Sequence, residues 1–311
     1  MIQLYQTRNQ KLQTIAEVEM GCWVNIIDPT LEERRWIHQH TPIVEDEYLV
    51  EALDADEQSR VEREDDYLLI VLRIPHFRGL EEDMPFTTLP LMVIVSEHNI
   101  YTICKEENAI IQEFVKQRIR GFNTTKKNKF LLQLMFKTAS KYLLHLRNIN
   151  KMVEKLEDEL ENSLRNKELM ELLKYEKALI YYTASLKANE AMMQRLNRLR
   201  IFKAYEEDEE LLEDVLIENS QAIEMTNITQ NILTHMTEAY SSIINNNVNY
   251  VIKFLTLMTI CLSIPTLITS FYGMNIPLPY QDSPNAIWVV LGISLVSIAA
   301  TIYFFRRKQW F

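Results

Sequence analysis

Five hydroxyl side chains recur at regular spacing in an otherwise apolar stretch: Thr256, Thr259, Ser263, Thr266 and Ser270. Their steps of three and four residues continue an a/d seam that starts with Asn249 and Ile252, so all seven side chains share one side of a helix. Only Thr269 places a hydroxyl elsewhere in that stretch. The run then ends in Phe271-Tyr272-Gly273-Met274-Asn275, a glycine followed closely by a neutral side-chain amide. Hydroxyls on one face of an otherwise apolar helix belong toward water, and a neutral amide oxygen can accept hydrogen bonds from the water shell of an ion. A ring of such oxygens holds a hydrated ion without trapping it. The plainer reading of the hydroxyls is local bonding to the helix backbone or packing between helices.

Those residues need elements to carry them. From 254 to 305 the only formal charge is Asp282, and the span divides into apolar helices at 254–272 and 286–305, joined by a loop at 273–285. Nineteen or twenty residues suffice to cross roughly 30 Å of hydrocarbon at about 1.5 Å per residue. Lys253 precedes the first span, and Arg306, Arg307 and Lys308 lie in the basic tail 306–311, whereas the loop has no Lys or Arg. That asymmetry puts both ends in the cytoplasm and the loop outside. Residues 1–20 hold no apolar run, so no signal peptide is expected.

A single hydroxyl stripe on an apolar helix makes sense if symmetry copies surround a water-filled axis, with apolar faces toward lipid or the second span. Ile252 and Leu255 are the large apolar residues nearest the cytoplasmic end of the stripe, and they are candidates for a constriction that closes by dewetting. Pro265 removes a backbone donor and frees the carbonyl of Cys261, with either a kink or simple packing as the result. Gly273 is expected to adopt a conformation barred to other residues and stop the helix sharply. Asn275 then either faces the axis or caps the turn, while Tyr272 and Met274 pack the loop.

Upstream, the punctuation changes. Pro90 is the last proline before Pro265, and Gly121 is the only glycine between Gly79 and Gly273. Long helices are expected at 124–162, at 167–205 and from 206 onward. A last helix unbroken to 272 would be about 100 Å long and must pack on the preceding two and on other subunits. Its opening run, Glu206-Glu207-Asp208-Glu209-Glu210, suits a helix N-terminus, where negative charge is favoured, or a divalent-binding surface. Before the helices, strands are expected at 20–27, 67–74, 89–95 and 100–104, with a turn at 96–99. Thr30-Leu31-Glu32-Glu33 reads as a capping box opening a helix to about His40, and 46–53 as a short second helix. The organisation is therefore an α/β domain over 1–120, a long-helix stalk over 121–253 that forms a funnel, and two C-terminal membrane helices. The fold class is an α+β membrane protein.

Several function classes fall away. A net charge of −10 and a pI near 5.3 argue against nucleic acid, whose phosphates call for a basic footprint. Three scattered cysteines support neither a disulfide framework nor structural zinc. There is no phosphate loop, no Gly-x-Ser-x-Gly and no His-x-x-x-His, so nothing indicates an enzyme.

Gly273-Met274-Asn275 after Ser263-Ile264-Pro265-Thr266, with a second span and a basic tail behind it, resembles the CorA family of magnesium transporters. The resemblance implies a homopentamer in the inner or plasma membrane that passes Mg²⁺, and also Co²⁺ and Ni²⁺, down the membrane potential under control of internal Mg²⁺. It makes Gly273, Met274 and Asn275 the selectivity filter. It also implies regulatory Mg²⁺ between the long helix of one subunit and the α/β domain of the next. Asp214 lies at the corresponding distance from the motif, and a helix that drifts about 20° per heptad would turn it toward a neighbour. Glu81, Glu82 and Asp83 fall near the matching part of the α/β domain. One departure is the uncharged Ile276-Pro277-Leu278-Pro279 after the motif, where an acidic residue is frequent in the family. Two rival readings remain: a Zn²⁺ transporter of the same superfamily, and a membrane-anchored coiled-coil protein that transports nothing.

Overall fold

In the β-strands, alternate side chains face opposite sides, and here both sides are apolar because helices cover each. The computed structural model describes residues 1–41, 46–162, 166–199, 201–202, 206–279 and 284–308. Its sheet is built from β1 (Ile2–Arg8), β2 (Lys11–Thr14), β3 (Trp23–Ile27), β4 (Arg60–Arg63), β5 (Tyr67–Phe77), β6 (Phe86–Ser96) and β7 (Ile100–Cys104). The strand order is β2-β1-β3-β7-β6-β5-β4; β3 pairs with β7 in parallel and every other pair is antiparallel. In β5, Ile70, Leu72 and Ile74 enter one core and Leu69 and Val71 the other, the period of two that a sheet imposes.

The helices divide between those two faces. The smaller core takes Ile37 of α1 (Leu31–His40) and Leu49 of α2 (Asp46–Leu53). The larger takes Phe114 of α3 (Ala109–Val115), Phe130 and Leu134 of α4 (Lys127–Asn162), Met193 of α5 (Asn166–Arg198), and Leu212 and Val215 of α6 (Glu206–Tyr272). Its centre is Trp23, fully buried, with the rings of Tyr5, Phe114, Phe122 and Phe130 around it. The last helix is α7 (Ala286–Arg307). The chain forms two compact units, Met1–Met236 and Thr237–Phe311.

Several expected elements are present at the expected places. The capping box at Thr30 forms: its hydroxyl accepts from the Glu33 N–H, and the Glu33 carboxylate accepts from the Thr30 N–H. The turn between β6 and β7 closes through the Ser96 N–H on the Asn99 carbonyl. α6 starts at Glu206, ends at Tyr272 and has the full 67 residues expected. Two helices are shorter than expected: α4 starts at Lys127 rather than 124, and α5 ends at Arg198, with 199 and 201–202 in turns, while 200 and 203–205 of the expected helix lie outside the described residues.

Unexpected elements are β1, β2, β4 and α3. β1 and β2 join through Asn9-Gln10, both with positive φ (50° and 61°), a two-residue hairpin turn without the glycine that normally announces one. α3 is capped by Asn108, whose side chain accepts from the Ile111 N–H, and it ends at Val115, two residues before Gln117, where φ is +54°.

Buried polar contacts fix the helices on the sheet. β4 begins at Arg60, opposite Val71, so the backbone of Arg73 lies past its reach. The side-chain amide of Asn189 on α5 takes up that backbone, accepting from the Arg73 N–H at 3.0 Å and donating to its carbonyl at 2.8 Å. Tyr142 of α4 donates to the same carbonyl. α4 and α6 run in step: Lys129 meets Glu207 and Ser140 meets Glu218, two contacts each 78 residues apart in sequence. Parallel helices in register are the simplest geometry with that property.

Candidate functional site

The C-terminal part of α6 carries the hydroxyl stripe. α6 and α7 are both long and apolar enough to cross a membrane, and their apolar windows are almost wholly unburied in the single chain. Trp288 at the start of α7 and Tyr303 near its end are strongly exposed, and Arg306, Arg307 and Lys308 follow. Aromatic rings at both ends of a span and cations beyond one end mark the interfaces of a bilayer. Of the described residues in α7, Ser294 alone is buried.

The stripe residues sit where the spacing puts them. Asn249, Thr259, Ser263, Thr266 and Ser270 are exposed, and Thr256 is half-buried. Ile252 and Leu255 are 54% and 57% exposed, so no part of this chain covers the proposed constriction. The Thr256 hydroxyl donates to the Ile252 carbonyl, Thr259 to Leu255 and Thr266 to Leu262, each at 2.8 Å. The plainer reading of these hydroxyls is thus correct for three of them, and it has a chemical consequence. Each hydroxyl has spent its one proton on its own helix, and what it turns outward is oxygen lone pairs alone. A hydrated cation presents only water hydrogens to its surroundings, and acceptor-only oxygens match it.

Pro265 lies inside α6 without ending it. The proline ring leaves the Cys261 carbonyl without its usual backbone donor, and the next residue, Thr266, adds a side-chain donor one carbonyl further on.

At the mouth, one expectation is corrected. Gly273 is absent from the glycines of positive φ, which are Gly21, Gly79 and Gly121. Its N–H bonds to the carbonyls of Thr269 at 3.0 Å and Ser270 at 3.2 Å, and the Met274 N–H bonds to Phe271 at 3.2 Å, so the helix tightens by one turn and then unwinds. A Cβ added at Gly273 would lie 3.5 Å from the Thr269 carbonyl oxygen, ordinary contact. Nothing in the single chain requires glycine there. Tyr272 does tie the loop, through its hydroxyl to the Pro279 carbonyl at 3.4 Å. Met274 and Asn275 are exposed. Asp282 lies outside the described residues.

The comparisons decide the family. A family model described as CorA-like Mg²⁺ transporter protein matches residues 19–307. The chain belongs to that family. The cobalt/magnesium transport protein CorA of Methanocaldococcus jannaschii is 28% identical over 298 residues, covering 93% of this chain and 90% of that protein. The complete structure of the CorA magnesium transporter from the same organism matches with a TM-score of 0.85 at 26% identity, over 100% of this chain and 98% of the other. The cytoplasmic domain of ZntB from Vibrio parahaemolyticus matches with a TM-score of 0.62 at 12% identity, over 78% of this chain and 98% of the other, a likeness of fold alone.

In this CorA-family chain the acidic candidates are spread out. Asp214 is exposed on α6, and Glu81, Glu82 and Asp83 are exposed in the turn between β5 and β6. Lys174 of α5 reaches that turn, with its ammonium 3.3 Å from the Glu82 carbonyl and 4.0 Å from the Asp83 carboxylate. Among the described residues of one chain, no three His, Cys, Asp or Glu side chains come together as a metal would need. Carboxylate oxygens suit Mg²⁺, but the single chain does not assemble them into a cage.

Proposed function

We propose that this protein is a homopentameric channel for divalent cations, chiefly Mg²⁺ and also Co²⁺ and Ni²⁺, in the inner or plasma membrane with both ends in the cytoplasm. The observation that carries the reading is the row of hydroxyls on α6 that have returned their protons to the helix and keep only acceptor oxygens for the axis. Asn249, Thr256, Thr259, Ser263, Thr266 and Ser270 line the path. Gly273, Met274 and Asn275 form the outer filter, where five Asn275 amides accept from the water shell of the arriving ion. Entry needs no ATP, because a divalent ion moving inward gains about 4.6 kcal/mol per 100 mV of inside-negative potential. Ile252 and Leu255 narrow the inner end into an apolar ring that empties of water when closed.

Control follows from the scattered acids. Asp214 of one copy and the turn holding Glu81, Glu82 and Asp83 of the next supply carboxylates that repel unless a cation bridges them. Internal Mg²⁺ acting as that bridge holds the closed, symmetric state, and its loss lets the subunits loosen toward conducting ones. The Zn²⁺ reading and the anchored coiled-coil reading part from this one in a single assay. In vesicles reconstituted with the full chain, influx of Mg²⁺, Co²⁺ and Ni²⁺ that rises with inside-negative potential is expected. Influx of Zn²⁺ alone, or of nothing, overturns the proposal. Regulation is tested on the same preparation by limited proteolysis: Mg²⁺ is expected to protect the parent and to lose most of that protection in Asp214→Lys. Equal protection of both would leave Asp214 as a helix-start carboxylate only.

A further inference from the structure

Three buried threonines of α4 and α6 return their hydroxyl protons to their own helix: Thr138 donates to the Leu134 carbonyl at 2.9 Å, Thr226 to Ala222 at 2.6 Å and Thr229 to Met225 at 2.8 Å. Thr183 of α5 does not. Its hydroxyl oxygen is buried and has no hydrogen-bond partner in the chain, neither the carbonyl one turn back nor any other. A second unpaired atom belongs to the same pair of helices: Oδ1 of Asn219 on α6, a residue only 1% exposed. The nitrogen of that amide is satisfied, because it donates to the Leu186 carbonyl of α5 at 3.3 Å. Its oxygen accepts from nothing in the chain. Protein interiors nearly always supply such groups with a partner. The other buried unpaired side-chain atoms among the described residues, Nε of Arg34 on α1 and Oε1 of Gln133 on α4, sit on separate elements.

Helix geometry brings the first two together. Leu186 lies twelve residues before the end of α5 and Asn219 thirteen after the start of α6, the matched spacing of an antiparallel pair joined by a short link. Three residues back along α5 from Leu186 is Thr183, about 60° round and therefore on the same flank. Three residues on along α6 from Asn219 is Ala222, fully buried and level with Thr183. A methyl group is the smallest side chain that could stand there, and it leaves room beside the Thr183 hydroxyl. Thr226, one turn further along α6, has already spent its proton on the Ala222 carbonyl and has none for Asn219. The offset of three residues, about 4.5 Å, is more than one O–H···O bond of about 2.8 Å spans and within the reach of two. Asn219 Oδ1 can only accept, whereas a hydroxyl both donates and accepts. What joins them must offer a proton to the amide and a lone pair to the hydroxyl.

We infer that a water molecule is bound between α5 and α6 of one chain, over the Ala222 methyl, donating to Asn219 Oδ1 and accepting from the Thr183 hydroxyl. Water has two protons and two lone pairs in the smallest possible volume, and buried waters hold the polar groups that a fold leaves unmatched. The site explains why Thr183 departs from the habit of the other three threonines: its proton is kept for the water. It also gives both ends of the Asn219 amide a partner, so that one side chain fixes α6 on α5 twice, once directly at Leu186 and once through the bound molecule. Nothing in it depends on a second copy or on transport.

Thermal unfolding of the full chain in detergent tests it by a sign. Valine has the shape of threonine without the hydroxyl. If the Thr183 hydroxyl is unpaired, Thr183→Val removes a buried polar group at no loss and raises the unfolding temperature. If it donates to bound water, Thr183→Val is expected to lower that temperature by about 2–4 °C. In an Asn219→Leu background the water has lost its acceptor, and there the same substitution is expected to lower it by less than about 1 °C. A rise in the parent background overturns the inference. So does an equal fall in both backgrounds, which would show that valine merely fits badly at that position. If Asn219→Leu fails to fold, a density map of the parent chain at a resolution that shows ordered water decides alone: a peak within about 3 Å of both oxygens is expected, and a hydroxyl that meets the amide directly, or a seam without density, overturns it.

Discussion

The two compact units, Met1–Met236 and Thr237–Phe311, spend their apolar residues in opposite ways. In the first, Trp23, Tyr142, Tyr182 and Phe114 are fully covered by the chain itself, and buried polar groups such as Arg73 and Asn189 find partners within it. In the second, Phe254, Leu262, Leu267 and Trp288 are all about half exposed or more, and the hydroxyls of Thr256, Thr266, Ser297 and Thr301 donate to carbonyls of their own helices. A chain folding in water must bury its apolar surface, whereas a chain in lipid must satisfy its backbone and can leave apolar surface outside. The front unit buries a core of its own, and the rear unit leaves its apolar side chains uncovered by the chain.

That contrast sets where a substitution is felt. Asn275→Ala, in the rear unit, removes the amide proposed for the filter, on a side chain that the single chain leaves exposed. Flux is expected to fall about 1000-fold, equivalent to about 4 kcal/mol on the barrier, while thermal unfolding of the front unit and sizing of the oligomer stay as in the parent. Mg²⁺ influx and size exclusion on one preparation check both halves. Unchanged flux would remove Asn275 as the filter.

The front unit should respond in stability instead. His145 is buried, with Nδ1 2.8 Å from the Tyr182 hydroxyl, and its imidazole is pushed down to about 4 by burial, with Lys141 and His76 adding to the shift. A histidine whose folded value lies below its unfolded value of about 6.5 binds fewer protons when folded, so stability is complete above pH 6.5 and is lost as pH falls from there toward 4. The loss amounts to about 3 kcal/mol over that window. Thermal unfolding across the pH range is expected to show it, and His145→Gln to flatten it. A parent whose stability does not change between pH 6.5 and 4.5 would refute this assignment.

How much was legible in advance follows the same division. The bounds of α6 could be read because an acidic run opens it and nothing but Pro265 interrupts it before Gly273. Unbroken runs rich in Val, Ile, Leu and Tyr made β5, β6 and β7 readable, since both faces of those strands are buried. The β1–β2 hairpin was not, because its residues are largely Gln, Thr and charged and its turn has no glycine. The end of α5 was overrun at 199 and 201–202 because no glycine or proline marks the stop there. At the site, spacing revealed which hydroxyls share a face. It could not reveal where each hydroxyl sends its proton, which depends on the rotamer each threonine adopts.

A smaller effect is expected at the inner end of the stripe. Ile252→Gly or Leu255→Gly shortens a side chain that this chain leaves exposed, so neither should lower the stability of the front unit. Each is expected to raise flux at high internal Mg²⁺ by about tenfold, some 1.4 kcal/mol on the closed state, because a wider ring stays wet. Electrophysiology over a Mg²⁺ series measures this. Two variants that close as the parent does would place the gate elsewhere.

The smallest effect is expected at Gly273, and it tests the contrast most directly. If glycine were there for a left-handed turn, alanine would strain the end of α6 in any setting. The φ of Gly273 is not positive, and its added Cβ would make ordinary contact with the carbonyls of Thr269 and Ser270 at 3.5 and 3.6 Å. Gly273→Ala is therefore expected to change the unfolding free energy by no more than about 0.5 kcal/mol, since alanine in a helical turn is at no disadvantage to glycine. Thermal unfolding and sizing of the variant are the measurements. A variant that still folds but no longer sizes as the parent oligomer would show that the missing side chain makes room for a neighbouring copy, a demand imposed by assembly on a residue the single chain leaves unconstrained. A variant that fails to fold would show instead that the last turn of α6 carries strain the single chain conceals.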